Sequence, residues 1–168
     1  MEIRSGQLLL RPPCQRDLAA VVAACQDPEI PRFIPYVPLP YGRQDGKTWL
    51  AEVERKWQGS DERTFAIVDQ VSNRFLGAVS IRLRDGGSIG YWLSREARSQ
   101  GVMSEAVGAV VEWARTEHGI ERLCILAHPD NVASQRVAEK AGFTRTGITT
   151  HRPPFRDGTS KAVRFDRA

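Results

Sequence analysis

Several features that would commit a chain to a large class are scarce here. There are only 3 cysteines in 168 residues. Cys14, Cys25 and Cys124 are far apart and odd in number. They suit reduced thiols better than a disulfide framework or a metal site, and no metal is expected. No apolar run approaches the ~20 residues that cross a bilayer, so no membrane partner is expected. Met1 to Gly6 carries no signal-peptide pattern, and the expected location is the cytoplasm. Lys and Arg are scattered without a block. The net charge of +4 and pI near 9.2 leave room for an anionic ligand but make nucleic acid an unexpected partner. Neither nucleotide fingerprint, Gly-x-x-x-x-Gly-Lys or Gly-x-Gly-x-x-Gly, occurs.

What is present reads as one domain over residues 1–168, with enough apolar residues to enclose a core. Leu8-Leu9-Leu10 before Arg11-Pro12-Pro13 reads as a strand stopped by prolines. Asp17 before Leu18–Ala24 fits a capped helix. Residues 28–42 hold five prolines with Phe33, Tyr36 and Tyr41, which predicts a stiff, partly apolar loop with no helix. Residues 44–58 read as a helix, with Trp49, Leu50, Val53 and Trp57 on its apolar side. Residues 64–68, 75–83 and 88–93 form an antiparallel meander, the last turn signalled by Asp85-Gly86-Gly87. A largely buried helix follows over 102–117, then a strand at 123–127 and a helix at 131–141 stopped by Gly142. Strands at 143–150 and 161–165 close the chain. The expected class is mixed α/β (α+β): a mostly antiparallel central sheet of about seven strands flanked by about four helices.

The most informative stretch runs from Tyr91 to Ala106. A strand ends, a polar turn follows, and a buried helix begins at Gly101–Ser104. The first amides of a helix have no intrahelical partner and the helix dipole adds positive potential, so the place suits an anion. Gly101 lets a ligand approach the backbone. Amide bonds to charged oxygens, roughly 1.5–3 kcal/mol each, should carry the grip, with Arg98 adding charge. An ordinary helix start with a solvated Arg98 has the same sequence signature. Downstream, Asn131, Ser134 and Ala138 share one helix face that could accept a slender amide-bearing ligand. Asn131 could equally be a helix cap.

Arg98-Ser99-Gln100-Gly101-Val102-Met103, followed by Ser104-Glu105-Ala106, resembles the acetyl-CoA loop of the GNAT acetyltransferase superfamily. Met103, where many members have a small residue, is similar to the RimJ/RimL-type branch, the ribosomal-protein N-terminal acetyltransferases. Asn131-x-x-Ser134 with Gly142-Phe143, Leu8 to Pro12, Trp49-Leu50 and Ile89 to Leu93 resemble the same branch, so the likeness spans about residues 8–166.

The resemblance implies that the fourth and fifth predicted strands (88–93 and 123–127) splay apart to admit acetyl-CoA as co-substrate. Trp92, Leu93 and Ser94 would line its pantetheine arm, and the amides of Gln100 to Ser104 (Gln100, Gly101, Val102, Met103, Ser104), with Arg98 and Ser99, would hold the diphosphate. Asn131 would meet the pantetheine, Ser134 would lie near the sulfur, and Lys140 or Arg136 would reach the adenosine end. It further implies direct attack by an amine, with the Leu93 amide as oxyanion donor and Ser134 stabilising the thiolate.

Many relatives carry a carboxylate where this chain has Ser88, so the base falls to His128 or to water, with Asp85 and Tyr91 as poorer candidates. A weak base favours an α-amine, which titrates near ~7.7–8.0, over a lysine near ~10.4. Phe33, Tyr36, Tyr91 and His151 are the candidate acceptor-binding residues, and the preferred acceptor is a protein or peptide N-terminus. A small-molecule amine acetyltransferase, acting on an antibiotic, amino acid or polyamine, and a CoA-binding module without turnover are the alternatives. The expected assembly is a monomer or homodimer.

Overall fold

A computed structural model describes residues 1–59, 61–84 and 86–168; Asp85 lies outside them. One sheet contains β1 (Ile3–Ser5), β2 (Leu8–Arg11), β3 (Glu62–Asp69), β4 (Phe75–Arg82), β5 (Gly87–Leu93), β6 (Leu123–Ala127), β7 (Thr144–Thr150) and β8 (Lys161–Arg167). Its order is β1-β2-β3-β4-β5-β6-β8-β7. Neighbours are antiparallel except β5 and β6, which run parallel. The helices are α1 (Leu18–Ala24), α2 (Glu29–Phe33), α3 (Arg43–Gly59), α4 (Val102–His118) and α5 (Val132–Lys140).

The mixed α/β reading holds, with three corrections of detail. The sheet has 8 strands where about seven were expected. The extra one, β1, is 3 residues long and too short for periodicity to reveal; it folds back on β2 through Gly6 at φ +49°. The proline-rich segment does contain a helix, α2. Pro28 is its N-cap and Pro31 lies in its first turn, where a backbone N–H has no helical partner to lose. Asp17 does not cap α1 with its side chain. Its carboxylate accepts hydrogen bonds from Arg11 at 2.7 and 2.8 Å and from the Cys14 N–H at 2.9 Å, forming a buried ion pair that ties the end of β2 to the turn before α1.

Two cores flank the sheet. The larger packs Phe65, Ile67, Val79, Ile81, Ile89, Ile125 and Phe165 against the Met103, Ala106, Val107 and Val110 side of α4, with Ala138 of α5. The smaller, on the opposite face, joins Val21, Cys25, Ile30 and Tyr41 to Ala66, Val68 and Phe75. Both faces of β3 and β4 are thus covered, so their sequences run nearly continuously apolar. Burial of α4 holds its N-terminus rigidly at the C-terminal end of β5.

Candidate acetyl-CoA and acceptor site

The β5–β6 pairing runs only from Gly87/Leu123 to Ile89/Ile125, while β5 continues to Leu93 and β6 to Ala127. The last part of β5 therefore diverges from β6, as the sequence reading expected. The ladder to β4 shows which way its peptide groups point. The Ser94 N–H donates to the Leu76 carbonyl at 2.8 Å, making Gly77/Leu93 and, by alternation, Val79/Tyr91 non-hydrogen-bonded pairs. The N–H and C=O of Tyr91 and Leu93 therefore face the gap. Arg98 occupies the Leu93 carbonyl at 3.0 Å. Among the described residues, the Tyr91 N–H and C=O and the Leu93 N–H remain for an extended, amide-bearing chain, which could pair there like an added strand.

At the end of β5, residues Arg95–Ala97 make a single 3-10 turn. The Ala97 and Arg98 N–H groups close that turn on Ser94 and Arg95, and the Glu105 N–H returns to the Gly101 carbonyl. Among the described residues no acceptor meets the N–H groups from Ser99 to Ser104, and no side chain caps α4. Ser99 at φ +62° and Gly101 at φ +80° are left-handed, which curls successive amides into a concave anion-binding nest. A Cβ at Gly101 would meet nothing within 4 Å, so the nest opens outward. The residues present fit a diphosphate held by main-chain donors. The side chains of Val102 and Met103 turn into the larger core, so only their amides are available. Gln100 bonds the Glu96 carbonyl at 2.7 Å and Ser104 is partly buried.

Arg98 is engaged within the chain as well. Besides Leu93, its guanidinium lies 2.8 Å from Asp27 in the α1–α2 turn, an acid the sequence reading passed over. Both contacts engage it within the chain, so it pins the end of β5 to that turn. The Trp92 indole packs between Trp49 and Phe75 on the smaller core, and its peptide groups face β4, so neither its ring nor its N–H and C=O is turned to the gap. Glu105 accepts from Ser5 at 3.1 Å and ties α4 to β1.

Across the gap, Asn131 Oδ1 accepts from the Ser134 N–H at 3.0 Å, capping α5. Ser134 sits in that first turn, its hydroxyl 3.0 Å from the Tyr91 hydroxyl. Lys140 is exposed at the far end of α5.

His128 is buried with both ring nitrogens occupied. Nδ1 accepts from the Asp130 N–H at 3.0 Å, which places the proton on Nε2, facing Asp157 at 3.0 Å. As arranged, His128 has no lone pair for an incoming amine. It is a pillar of an aromatic arch: Phe33 lies 5.3 Å from it, Phe155 4.7 Å, and His151 stacks on Phe155 at 4.4 Å. Tyr36, 66% exposed, bonds the Arg152 carbonyl, and Arg156 bonds the Pro31 and Val37 carbonyls. These contacts lash residues 31–37 to residues 151–157. Phe155, Arg156 and Asp157 carried no sequence signal beyond lying in a basic, proline-containing loop.

At His151, Nδ1 donates to the Pro153 carbonyl at 2.8 Å, so Nε2 keeps its lone pair. The N–H of Thr159, and the His128 ring, hold the exposed Asp157 carboxyl below the usual range. Tyr91 lies apart from this arch, between the gap and the larger core.

Comparison with known proteins agrees with this geometry. The family described as "Acetyltransferase (GNAT) domain" matches residues 7–144. The probable N-acetyltransferase YjcK of Bacillus subtilis is 34% identical over 104 residues, 59% of this chain and 58% of its own length. The chain therefore spans little more than half of that relative. The N-acetyltransferase YnaD of the same organism is 25% identical over 151 residues, 88% of this chain and 85% of its own. Among solved structures, the ribosomal L7/L12 α-N-protein acetyltransferase RimL in complex with coenzyme A superposes with a TM-score of 0.88 at 20% identity, covering 99% of this chain and 97% of that one. With the divergent strands and the amide nest already in place, the family match over residues 7–144 settles the assignment: the chain belongs to the GNAT acetyltransferase domain family.

Proposed function

We propose that the chain transfers the acetyl group of acetyl-CoA to a primary amine, with a protein or peptide N-terminus as the preferred acceptor. The observation that carries this reading is the run of open N–H groups from Ser99 to Ser104 beside the gap between β5 and β6. The nest holds the diphosphate, and the free N–H and C=O of Tyr91 hold the pantetheine. The Leu93 N–H then faces the thioester carbonyl and stabilises the negative charge that attack places on its oxygen. Ser134, at the positive end of α5, stabilises the leaving sulfur.

The acceptor enters under the aromatic arch. Its charge meets Asp157, and its nitrogen meets the His151 Nε2 lone pair. His128 holds the arch and takes no proton in this scheme. Deprotonating an α-amine at pH 7 costs about 1 kcal/mol and a lysine roughly 4–5 kcal/mol, at about 1.36 per pKa unit. A site whose open nitrogen base, among the described residues, is one imidazole therefore favours the α-amine. The ribosomal-protein substrate named for RimL supports a protein N-terminus as the acceptor.

A second reading keeps the chemistry and changes the acceptor to a small amine carrying a planar ring. The exposed Tyr36 beside His151, ring centroids 6.5 Å apart, favours it, because an unshielded aromatic pair can clasp a ring. Release of free CoA, measured with unblocked peptides, lysine peptides with blocked termini, polyamines and small aromatic amines, decides between the two. Fastest turnover on unblocked peptides is the expected result. Tight acetyl-CoA binding with no turnover on any amine would leave a CoA-binding module, and no binding at all would remove the proposal.

A further inference from the structure

We infer that Tyr91 is a positioning residue for the departing thiolate, acting through the Ser134 hydroxyl; this rests on the acetyl-transfer reading above. Tyr91 lies on β5 just beyond its last pairing with β6, and its side chain reaches the first turn of α5. Its hydroxyl is 3.0 Å from Ser134 Oγ and 3.1 Å from the Ser134 carbonyl oxygen. The side chain thus joins the two walls of the gap at the place where they separate.

The carbonyl can only accept, so the single phenolic proton has two destinations. When it goes to the carbonyl, the serine proton is engaged at the phenolic oxygen. When it goes to Oγ, the serine proton is free to turn toward a sulfur in the gap. These two arrangements share the same heavy-atom positions and differ only in where two protons point. Charge growing on the sulfur favours the second. Donation from Tyr91 then strengthens the serine as a donor, because hydrogen bonds in a chain polarise one another. No proton leaves either residue: the sulfur departs with the electron pair of its bond to the acetyl carbon and takes a proton later from solvent.

Burial pushes the Tyr91 phenol up to about 12, outweighing the opposing hydrogen bond from Ser134, so the proton stays on it at neutral pH. The neighbouring titratable groups are committed or exposed. Glu105 on α4 is tied to Ser5 and His128 is tied to Asp157. Asp130, Arg136, Glu139 and Lys140, before and along α5, are exposed. The relay is thus the arrangement through which the chain's own groups reach the sulfur.

The test is a double-mutant cycle of Tyr91→Phe and Ser134→Ala, paired with titration of bound CoA by the ultraviolet absorbance of its thiolate. Tyr91→Phe keeps the ring, and its thermal midpoint checks the fold. It should lower kcat roughly tenfold, the scale of one lost hydrogen bond, with little change in KM for acetyl-CoA. The double variant should be no slower than Ser134→Ala. A free thiol titrates near about 8.5; bound CoA should titrate lower in the parent protein and return toward that value in each variant. Costs that add in the double variant, or a bound-thiol titration unmoved by Tyr91→Phe, would overturn the proposal. If the parent protein turns over no amine, the acetyl-transfer reading fails by that result. The thiol titration alone then decides the role of Tyr91.

Discussion

At the scale of single residues, position 101 has the clearest consequence. Its φ of +80° is left-handed, yet a Cβ there would meet nothing within 4 Å. Gly101→Val should therefore cost only about 1–2 kcal/mol of backbone strain while placing a branched side chain over the nest. Affinity for acetyl-CoA, measured by calorimetry, is expected to fall at least tenfold with the fold retained. Unchanged affinity would move the diphosphate elsewhere. His151 makes a complementary prediction. With Nδ1 committed to Pro153 and Nε2 open, His151→Ala should lower kcat/KM for the amine at least severalfold and leave acetyl-CoA affinity unchanged. An equal loss in both would place the histidine outside the acceptor path.

At the scale of elements, the end of β5 is the part on which the site depends, and two neighbours set its place. Gly77 faces it so closely that a Cβ would lie 2.3 Å from the Trp92 carbonyl oxygen and 2.9 Å from the Leu93 Cα. Both are backbone atoms and cannot rotate away, so Gly77→Ala must displace the strand. A loss of roughly 1–3 kcal/mol in urea unfolding is expected, the range for overpacked sites, together with weaker acetyl-CoA binding. Arg98 holds the same strand from the other side. Arg98→Ala would leave the Leu93 carbonyl without that donor and the largely buried Asp27 carboxylate without its closest cation. It should cost about 1–3 kcal/mol, the range for an unsatisfied buried group. Its effect on acetyl-CoA affinity should be smaller than that of Gly101→Val, since the guanidinium is engaged within the chain. The reverse order would make Arg98 a direct phosphate ligand.

At the scale of the whole molecule, the buried Arg11–Asp17 pair fastens the end of β2 to the turn before α1. Burial alone would raise the Asp17 pKa; the Arg11 and Cys14 hydrogen bonds outweigh it, and the net shift is downward. A carboxyl held lower in the folded state than in the unfolded one stabilises the fold once pH exceeds the unfolded value, about 3.9. That contribution fades as pH falls through the lower folded value. Thermal midpoints should therefore decline below about pH 4. Asp17→Asn should flatten that decline and cost roughly 3–5 kcal/mol at pH 7, because Arg11 is left buried without its counter-charge. A variant whose acid profile matches the parent would remove Asp17 from the account.

Much of this was legible in the chain itself. The meander, the buried helix beginning after Gly101 and the cap-and-serine start of α5 are local matters of periodicity, turn chemistry and helix ends. The amino-acid order therefore determined the mixed α/β class and the position of the nest. It could not show β1 or α2, because strands of 3 residues and helices of 5 leave no period to read. Only the tertiary structure decided what the polar side chains near the site are doing. Arg98 met an aspartate far away in sequence, His128 lost both nitrogens to Asp130 and Asp157, and Tyr91 found Ser134 across the divergent strands. The physical reason is the same in each case: a backbone conformation answers to its neighbours along the chain, whereas a hydrogen bond or ion pair is chosen by whatever group folding brings within about 3 Å.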